Sequence, residues 1–247
     1  ELHLGILMET MRREGFEFEV RRPRIIPREG PDGEQLEPYE ELLIDCPEGY
    51  LGVVMEKLGP RRGTMRDMKN AGLGMVRLRF TIPARGLLGY RSEFLTDTRG
   101  TGVMHHLFHG YGPWAGPLTG RSRGVMVADR EGVAVAFALF NLQERGTMFV
   151  QPGDPVYEGM IVAEHARPGD LDVNVAKEKK LTNMRTTASD EMIILEPPRP
   201  VTLELGLEYI EDDELIEVTP SSVRLRKRAL GAVARRKLAR AARAQDQ

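Results

Sequence analysis

The sequence predicts an α+β protein: a ferredoxin-like split βαβ domain, then a mostly antiparallel β-domain with a short helix and a basic tail. Three observations carry this prediction. Between residues 39 and 111 the apolar periodicity alternates between two and 3.6, giving the order β-α-β-β-α-β. Beyond Gly112, short apolar runs recur between Gly and Pro punctuation, as in a small β-domain or barrel. Ser221–Gln247 holds nine Lys/Arg against one acid, while the other 220 residues hold 26 basic and 36 acidic groups.

Taken in order, Leu2, Ile6, Leu7 and Met11 fall at helical spacing and Gly15 provides a stop, so a helix opens the chain. "FEFEV" (16–20) alternates with period two and reads as a strand. A lone helix and strand cannot bury their apolar faces unaided, so residues 1–34 are expected to be the remnant of a domain that begins before Glu1, ending in the Pro/Gly/acid linker "PREGPDGEQLEP" (27–38). The split βαβ domain, residues 35–112, follows. "YEELLIDC" (39–46) is its first strand and "EGYLGVVMEKLGP" (48–60) its first helix. Residues 63–72 and 74–83 are strands around an Asn-Ala-Gly turn, 85–98 hold a short amphipathic helix, and 100–111 close as a strand. In the third region, 113–247, strands are expected at 123–129, 132–140, 147–150, 160–166, 192–197 and 214–220, with a helix at 203–210. "SSVRLRKR" reads as a strand with an arginine face of Arg224, Arg226 and Arg228, and 229–243 as a basic helix or frayed tail.

Composition and motifs narrow the chemistry. With 41% hydrophobic and 29% charged residues the chain is an ordinary globular one. No apolar run approaches the roughly 18 residues of a membrane helix, so no membrane-spanning helix is expected. A single cysteine, Cys46, excludes an intrachain disulfide and a thiolate metal cluster, and suits a reducing, cytoplasmic setting. Walker-type and G-x-S-x-G motifs are missing, and the glycines of "RGLLG" (85–89) and "RGTG" (99–102) read as turns. In "HHLFH" (105–109), His105 and His109 share a strand face but stand roughly 13 Å apart by the strand rise, too far to bind one ion. The acid pairs Glu191/Asp190 and Asp212/Asp213 suit caps and turns rather than proton transfer. With no nucleophile-plus-base set, the chain is not expected to be an enzyme, and neither cofactor nor metal is expected in it.

Two basic features remain. The positive tail on an acidic body suits a polyanionic partner, RNA before a membrane surface, or else a solubilising end. "KEKKLTNMRTTASDE" (177–191) has almost nothing that packs into a core. Lys177, Lys179, Lys180 and Arg185 offer charge to phosphates, and Thr182, Asn183 and Thr186 can bond to bases, sugars or 2′-hydroxyls. The alternative is an exposed charged loop without a partner. For the arginine face of 224–228, the alternative is a sheet edge protected by charge.

The words of the sequence carry a resemblance. "GILMETMRREGFEFEV" resembles the second half of domain III in translational GTPases, and "PARGLLGYRSEFLTDTRGTG" the domain V signature of their BipA/TypA branch. "NLQERGTMFV", "VYEGMIV", "KKLTNMRTTASDE" and "DDELIEVTPSSVRLRKR" resemble the C-terminal domain peculiar to that branch. The resemblance runs from Glu1 to about Leu230 and implies the C-terminal half of a ribosome-associated GTPase related to elongation factor G, linked to large-subunit assembly, stress and growth in the cold. GTP and Mg²⁺ would then belong to N-terminal domains outside this sequence. The implied partners are the 70S ribosome or 50S subunit, through rRNA and an A-site tRNA reached by the 177–191 loop, with no membrane and no DNA. By the same resemblance Arg85, Arg91 and Arg99 are candidate ribosome contacts, though Arg91 could pair with Glu93 or Asp97 instead. A protein–protein module without RNA contact is the alternative; an enzyme would need a deep apolar pocket in the β-domain.

Overall fold

The structure, a computed structural model, describes residues 2–118, 120–178 and 194–245. Two compact units result: Pro23–Gly120 forms one, and Glu1–Arg22 joins Arg121–Gln247 to form the other. The first 22 residues therefore pack with the C-terminal unit. Helix α1 (Leu2–Arg13) and strand β1 (Phe18–Arg21) are built into the C-terminal unit. The face that α1 buries also differs from the expected one. Gly5 and Met8 are buried while Ile6 and Leu7 are exposed; Gly5 lies beside Glu204 of the later chain and Met8 packs with Leu203 and Leu207.

The Pro23–Gly120 unit contains β2 (Arg28–Glu29), β3 (Gln35–Pro47), α2 (Leu51–Leu58), β4 (Thr64–Gly72), β5 (Met75–Pro83), α3 (Tyr90–Asp97) and β6 (Val103–Pro113). The four long strands run antiparallel in the order β4-β5-β3-β6, which is the split βαβ arrangement. Alternation drives one face inward: Leu42, Ile44 and Cys46 of β3 meet Val76, Leu78, Phe80 and Ile82 of β5 beneath Val54 and Leu58 of α2 and Phe94 of α3. The opposite face is laced by charge, with Arg77 held bidentately by Asp45 at 2.7 and 2.8 Å and Arg79 by Glu41 at 3.2 Å. Two expectations are corrected. The stretch 27–38 is not all linker, since β2 and the start of β3 close a hairpin over it. The turn after β4 falls later than Asn-Ala-Gly, at Gly72-Leu73-Gly74, where all three residues take positive φ.

The other unit continues with β7 (Val125–Ala128), β8 (Gly132–Val133), α4 (Ala136–Gln143), β9 (Gly146–Met148), β10 (Pro155–Val156), β11 (Met160–His165), β12 (Leu171–Val173), α5 (Leu203–Tyr209), β13 (Glu214–Val218), β14 (Val223–Lys227) and α6 (Ala232–Gln245). Its main sheet has the order β1-β13-β14-β11-β7-β12, with β9 also paired to β11 and only β12–β7 parallel. One face (Val125, Val127, Ile161, Ile216, Val218, Leu225) packs with Met8 of α1 and Leu203 and Leu207 of α5. A second core gathers Met126, Ala128, Met160 and Val162 with Leu139 of α4. The run 132–140, expected as a strand, is mostly α4: Val135 is extended, and from Ala136 the chain turns helical so that Ala138 and Leu139 are buried. Likewise 194–197 is not a strand; the rest of that expected element lies outside the described residues.

A buried ionic knot binds this unit. Glu214, with no exposed surface, takes Arg121 at 2.8 Å and Lys227 at 3.0 Å, and Lys227, 3% exposed, also reaches Asp213 and Asp170. Burial pushes the Glu214 carboxyl up, but the Arg121 hydrogen bond and the Lys227 charge outweigh it and hold the group below its ordinary value of 4.5. Since the folded value is the lowered one, the carboxylate's contribution is complete above about pH 4.5 and lost as pH falls through the folded value. Glu214→Ala is expected to cost about 3 kcal/mol at neutral pH by leaving Arg121 and Lys227 under-compensated. It should also flatten the acid limb of the stability curve. Urea unfolding at neutral pH and at about pH 3.5 checks both, and an unchanged midpoint at neutral pH would refute the assignment.

Candidate nucleic-acid interface

The segment 177–191 is read best from its feet. On the incoming side Val173 and Val175 are buried; Asp129 donates its N–H to the Val173 carbonyl at 3.0 Å and Val135 to that of Val175 at 2.9 Å. Asn174 turns the chain by accepting the Ala176 N–H at 3.0 Å, and Lys177 follows, exposed. On the returning side the Gln143 amide imitates a backbone partner. It donates to the Ile194 carbonyl and accepts the Glu196 N–H, each at 3.2 Å. Arg199 then completes the seam, its N–H bonding Met148 O at 2.8 Å and its guanidinium joining Arg123 on Glu164. Glu164 is held below the ordinary carboxylate value: burial raises it, and the two arginines more than compensate.

Val135 precedes α4 and Gln143 ends it, so both feet stand on one eight-residue helix, roughly 12 Å long. Lys179, Lys180, Thr182, Asn183 and Arg185 lie outside the described residues. Beside the returning foot, Leu139, Gln143, Met148, Val150, Leu195 and Pro197 line a cleft of about 200 Å³. That is smaller than the ~300–1,000 Å³ of ordinary small-molecule pockets.

The arginine strand is placed differently from either reading of it. β14 lies inside the sheet, paired with β13 on one side and β11 on the other, so its charges do not guard an edge. Arg226, 14% exposed, is taken by Glu19 and also donates to the Lys227 carbonyl at 3.2 Å. Arg224 lies opposite Glu217, whose carboxylate accepts the Tyr157 hydroxyl at 2.6 Å. Arg228 falls just past the strand and is exposed. An all-arginine face is thus not presented: one of the three is tied down, one is half-buried and one is open.

The other arginines also divide. Arg85 is 13% exposed, clamped on the fully buried Glu37 at 2.5 Å and stacked over Trp114 at 3.8 Å, so it is a core ion pair rather than a contact surface. Arg91 and Arg99 are both exposed, and Arg99 takes a positive φ after α3. Glu93 is not paired with Arg91, since it takes Lys57 at 2.6 Å and Arg61 at 2.9 Å. His106 binds Glu40, and no group of His, Cys, Asp and Glu that could hold a metal ion occurs among the described residues.

Sequence reasoning missed α4 as the mount of the basic segment. The alternation Val133, Val135, Phe137 imitated a strand, whereas the helix-forming run "AFALFNLQ" with Gln143 at its end was the available signal.

Comparison with known proteins matches these two units. The elongation factor G C-terminus family matches residues 34–121, and the TypA/BipA C-terminal domain family residues 123–232. A protein of Synechocystis sp. called large ribosomal subunit assembly factor BipA is 52% identical over 238 residues, covering 96% of this chain and 39% of that protein. The proteins of that name from Escherichia coli K12 and Bacillus subtilis are 50% and 49% identical, covering 98% and 97% of the chain. The chain spans about two fifths of the length of these relatives, 39–40%. It belongs to the TypA/BipA family and corresponds to the C-terminal part of its members.

Proposed function

We propose that this chain is the ribosome-binding C-terminal portion of a large-subunit assembly factor, and that segment 177–191 is its RNA-contacting element. The observation that supports this most is the mounting of that segment: a run whose sequence holds four cations, Asn and Thr is flanked by residues bonded to the two ends of α4, Val175 to Val135 just before it and Ile194 and Glu196 to Gln143. Eighteen residues separate Val175 from Ile194, enough chain to project up to about 30 Å from the surface. Lys177, Lys179, Lys180 and Arg185 would neutralise phosphates and set position, while Thr182 and Asn183 bond to sugars or base edges of rRNA or the acceptor end of an A-site tRNA. Exposed Arg91, Arg99 and Arg228 are candidates for further backbone contacts, whereas Arg85 and Arg226 are engaged internally.

The names of the relatives support the large subunit as the target. GTP and Mg²⁺ chemistry, if the parent follows the translational GTPases, belongs to the part of the relatives this chain does not match, and a role in stress or cold growth would be the parent's. Work on ribosomes places the protein in the cytoplasm; no described helix is long and apolar enough to cross a membrane.

Changing Lys179, Lys180 and Arg185 together to Ala is expected to weaken binding to purified large subunits. The slope of log affinity against log salt should become shallower by about 2, from the loss of three phosphate contacts. Sedimentation across a salt series measures both, and equal binding by parent and variant would instead favour the protein–protein reading. Gln143→Ala tests the mount separately. It should weaken binding several-fold with no change of salt slope, because it loosens one foot without removing charge; a changed slope would contradict a purely positional role.

A further inference from the structure

We propose that helix α6 is a second polyanion-binding element, a cationic strut held beside the root of the 177–191 segment and directed at RNA phosphates. This rests on the RNA reading above and adds a surface that lies beyond residue 232, where the family match ends. α6 has five Lys/Arg in 14 residues and no acid. Its start is pinned at several points. Glu158 accepts the Ala232 N–H at 3.2 Å; Arg235 binds Asp172 and the carbonyls of Ala229 and Leu230; Arg236 reaches the other Asp172 oxygen at 3.4 Å. Asp172 is the middle residue of β12, five residues before Lys177. The helix is therefore tied to the strand from which the basic segment leaves.

Arg235 carries the anchoring, Arg236 adds one long contact at 3.4 Å, and a stripe remains. Arg236 and Arg240 stand four apart and Lys237 and Arg240 three apart, on neighbouring turns, and all three are exposed. Among the described residues no ion pair is made by Lys237 or Arg240. A membrane surface fits less well. The large apolar side chains of the helix, Val233 and Leu238, are five positions apart, about 140° around the axis, and form no continuous apolar stripe. A helix with one cationic face, no acid and a fixed base suits the phosphate backbone, where each neutralised phosphate releases condensed counterions.

The test uses the full chain, purified large ribosomal subunits, and two variants. Arg236→Ala, Lys237→Ala and Arg240→Ala together keep the helix, since Ala is its best former, and keep the Arg235–Asp172 anchor. They are expected to lower affinity about 10- to 100-fold near 0.1 M salt and to reduce the salt slope by about 2. Asp172→Ala makes the protein more positive by one charge yet releases the strut, so it is expected to weaken binding; unchanged or tighter binding would overturn the pinning. If the unaltered chain binds and the triple variant keeps its affinity and slope, the strut is refuted while the RNA reading stands. If the unaltered chain fails to bind at low salt, both fall. Binding to phosphatidylserine–phosphatidylcholine vesicles that the triple variant alone loses, with subunit binding unchanged, would assign the stripe to a membrane and overturn the proposal.

Discussion

The architecture depends on one acidic turn, Glu211 to Glu214, between α5 and β13. The chain leaves the C-terminal unit after Arg22 and re-enters it at Arg121, with the whole split βαβ unit between. Glu211 holds both crossing points: one carboxylate oxygen takes the Arg22 guanidinium at 2.8 Å and the other takes the Arg121 N–H. Glu214 then binds the Arg121 guanidinium, which also stacks over Tyr209, and its second oxygen returns to the Glu211 N–H at 2.9 Å. Without that turn, Arg22 and Arg121, which both belong to the C-terminal unit, would lose their shared partner. A buried carboxylate is costly unless it is fully partnered, and Glu214 meets the condition with Arg121, Lys227 and a backbone amide.

That arrangement sorts the cations of the protein. Arg85, Arg121, Arg226 and Lys227 are little exposed and each holds a carboxylate, so their charge is already spent internally. A cation so placed has few counterions to release and adds little to polyanion binding. Lys177, Arg91, Arg99, Arg228, Lys237 and Arg240 stand exposed instead. The net charge of −2 conceals this division: carboxylates hold the little-exposed cations, while exposed ones stand on both units.

Much of the fold was legible in the sequence because it rests on alternation. β3 and β5 repeat apolar residues at every second position, and the order of elements between 35 and 113 follows from that pattern and two helical runs. The errors have physical causes. A period-two pattern in 132–140 competed with helix propensity and lost once Val135 had paired with the chain at Val175. The apolar face of α1 was misassigned because a glycine, which contributes nothing to hydrophobic periodicity, lies on its buried side beside Glu204 of α5. The arginine alternation of 223–228 was read correctly as a strand, but sequence alone does not say that β11 and β13 flank it or that Glu19 reaches Arg226. Long-range partners of this kind decide whether a charge serves packing or binding.

The mounting of segment 177–191 follows the same economy of constraint. A polar run has no core of its own to fix it, and ordering side chains on a partner costs roughly 0.5–1.5 kcal/mol for each long one immobilised. The chain reduces the remaining cost by fixing both ends. Val175 is buried and bonded to Val135, and Ile194 and Glu196 are clasped by Gln143. Because loop-closure cost grows only as the logarithm of length, about 0.6 kcal/mol for each doubling, a long basic segment is scarcely harder to hold than a short one once its feet are set. Reach can then be lengthened without loss of the scaffold. The flanks that set this spacing, Val175 and Ile194–Glu196, are held by burial and by backbone-directed hydrogen bonds.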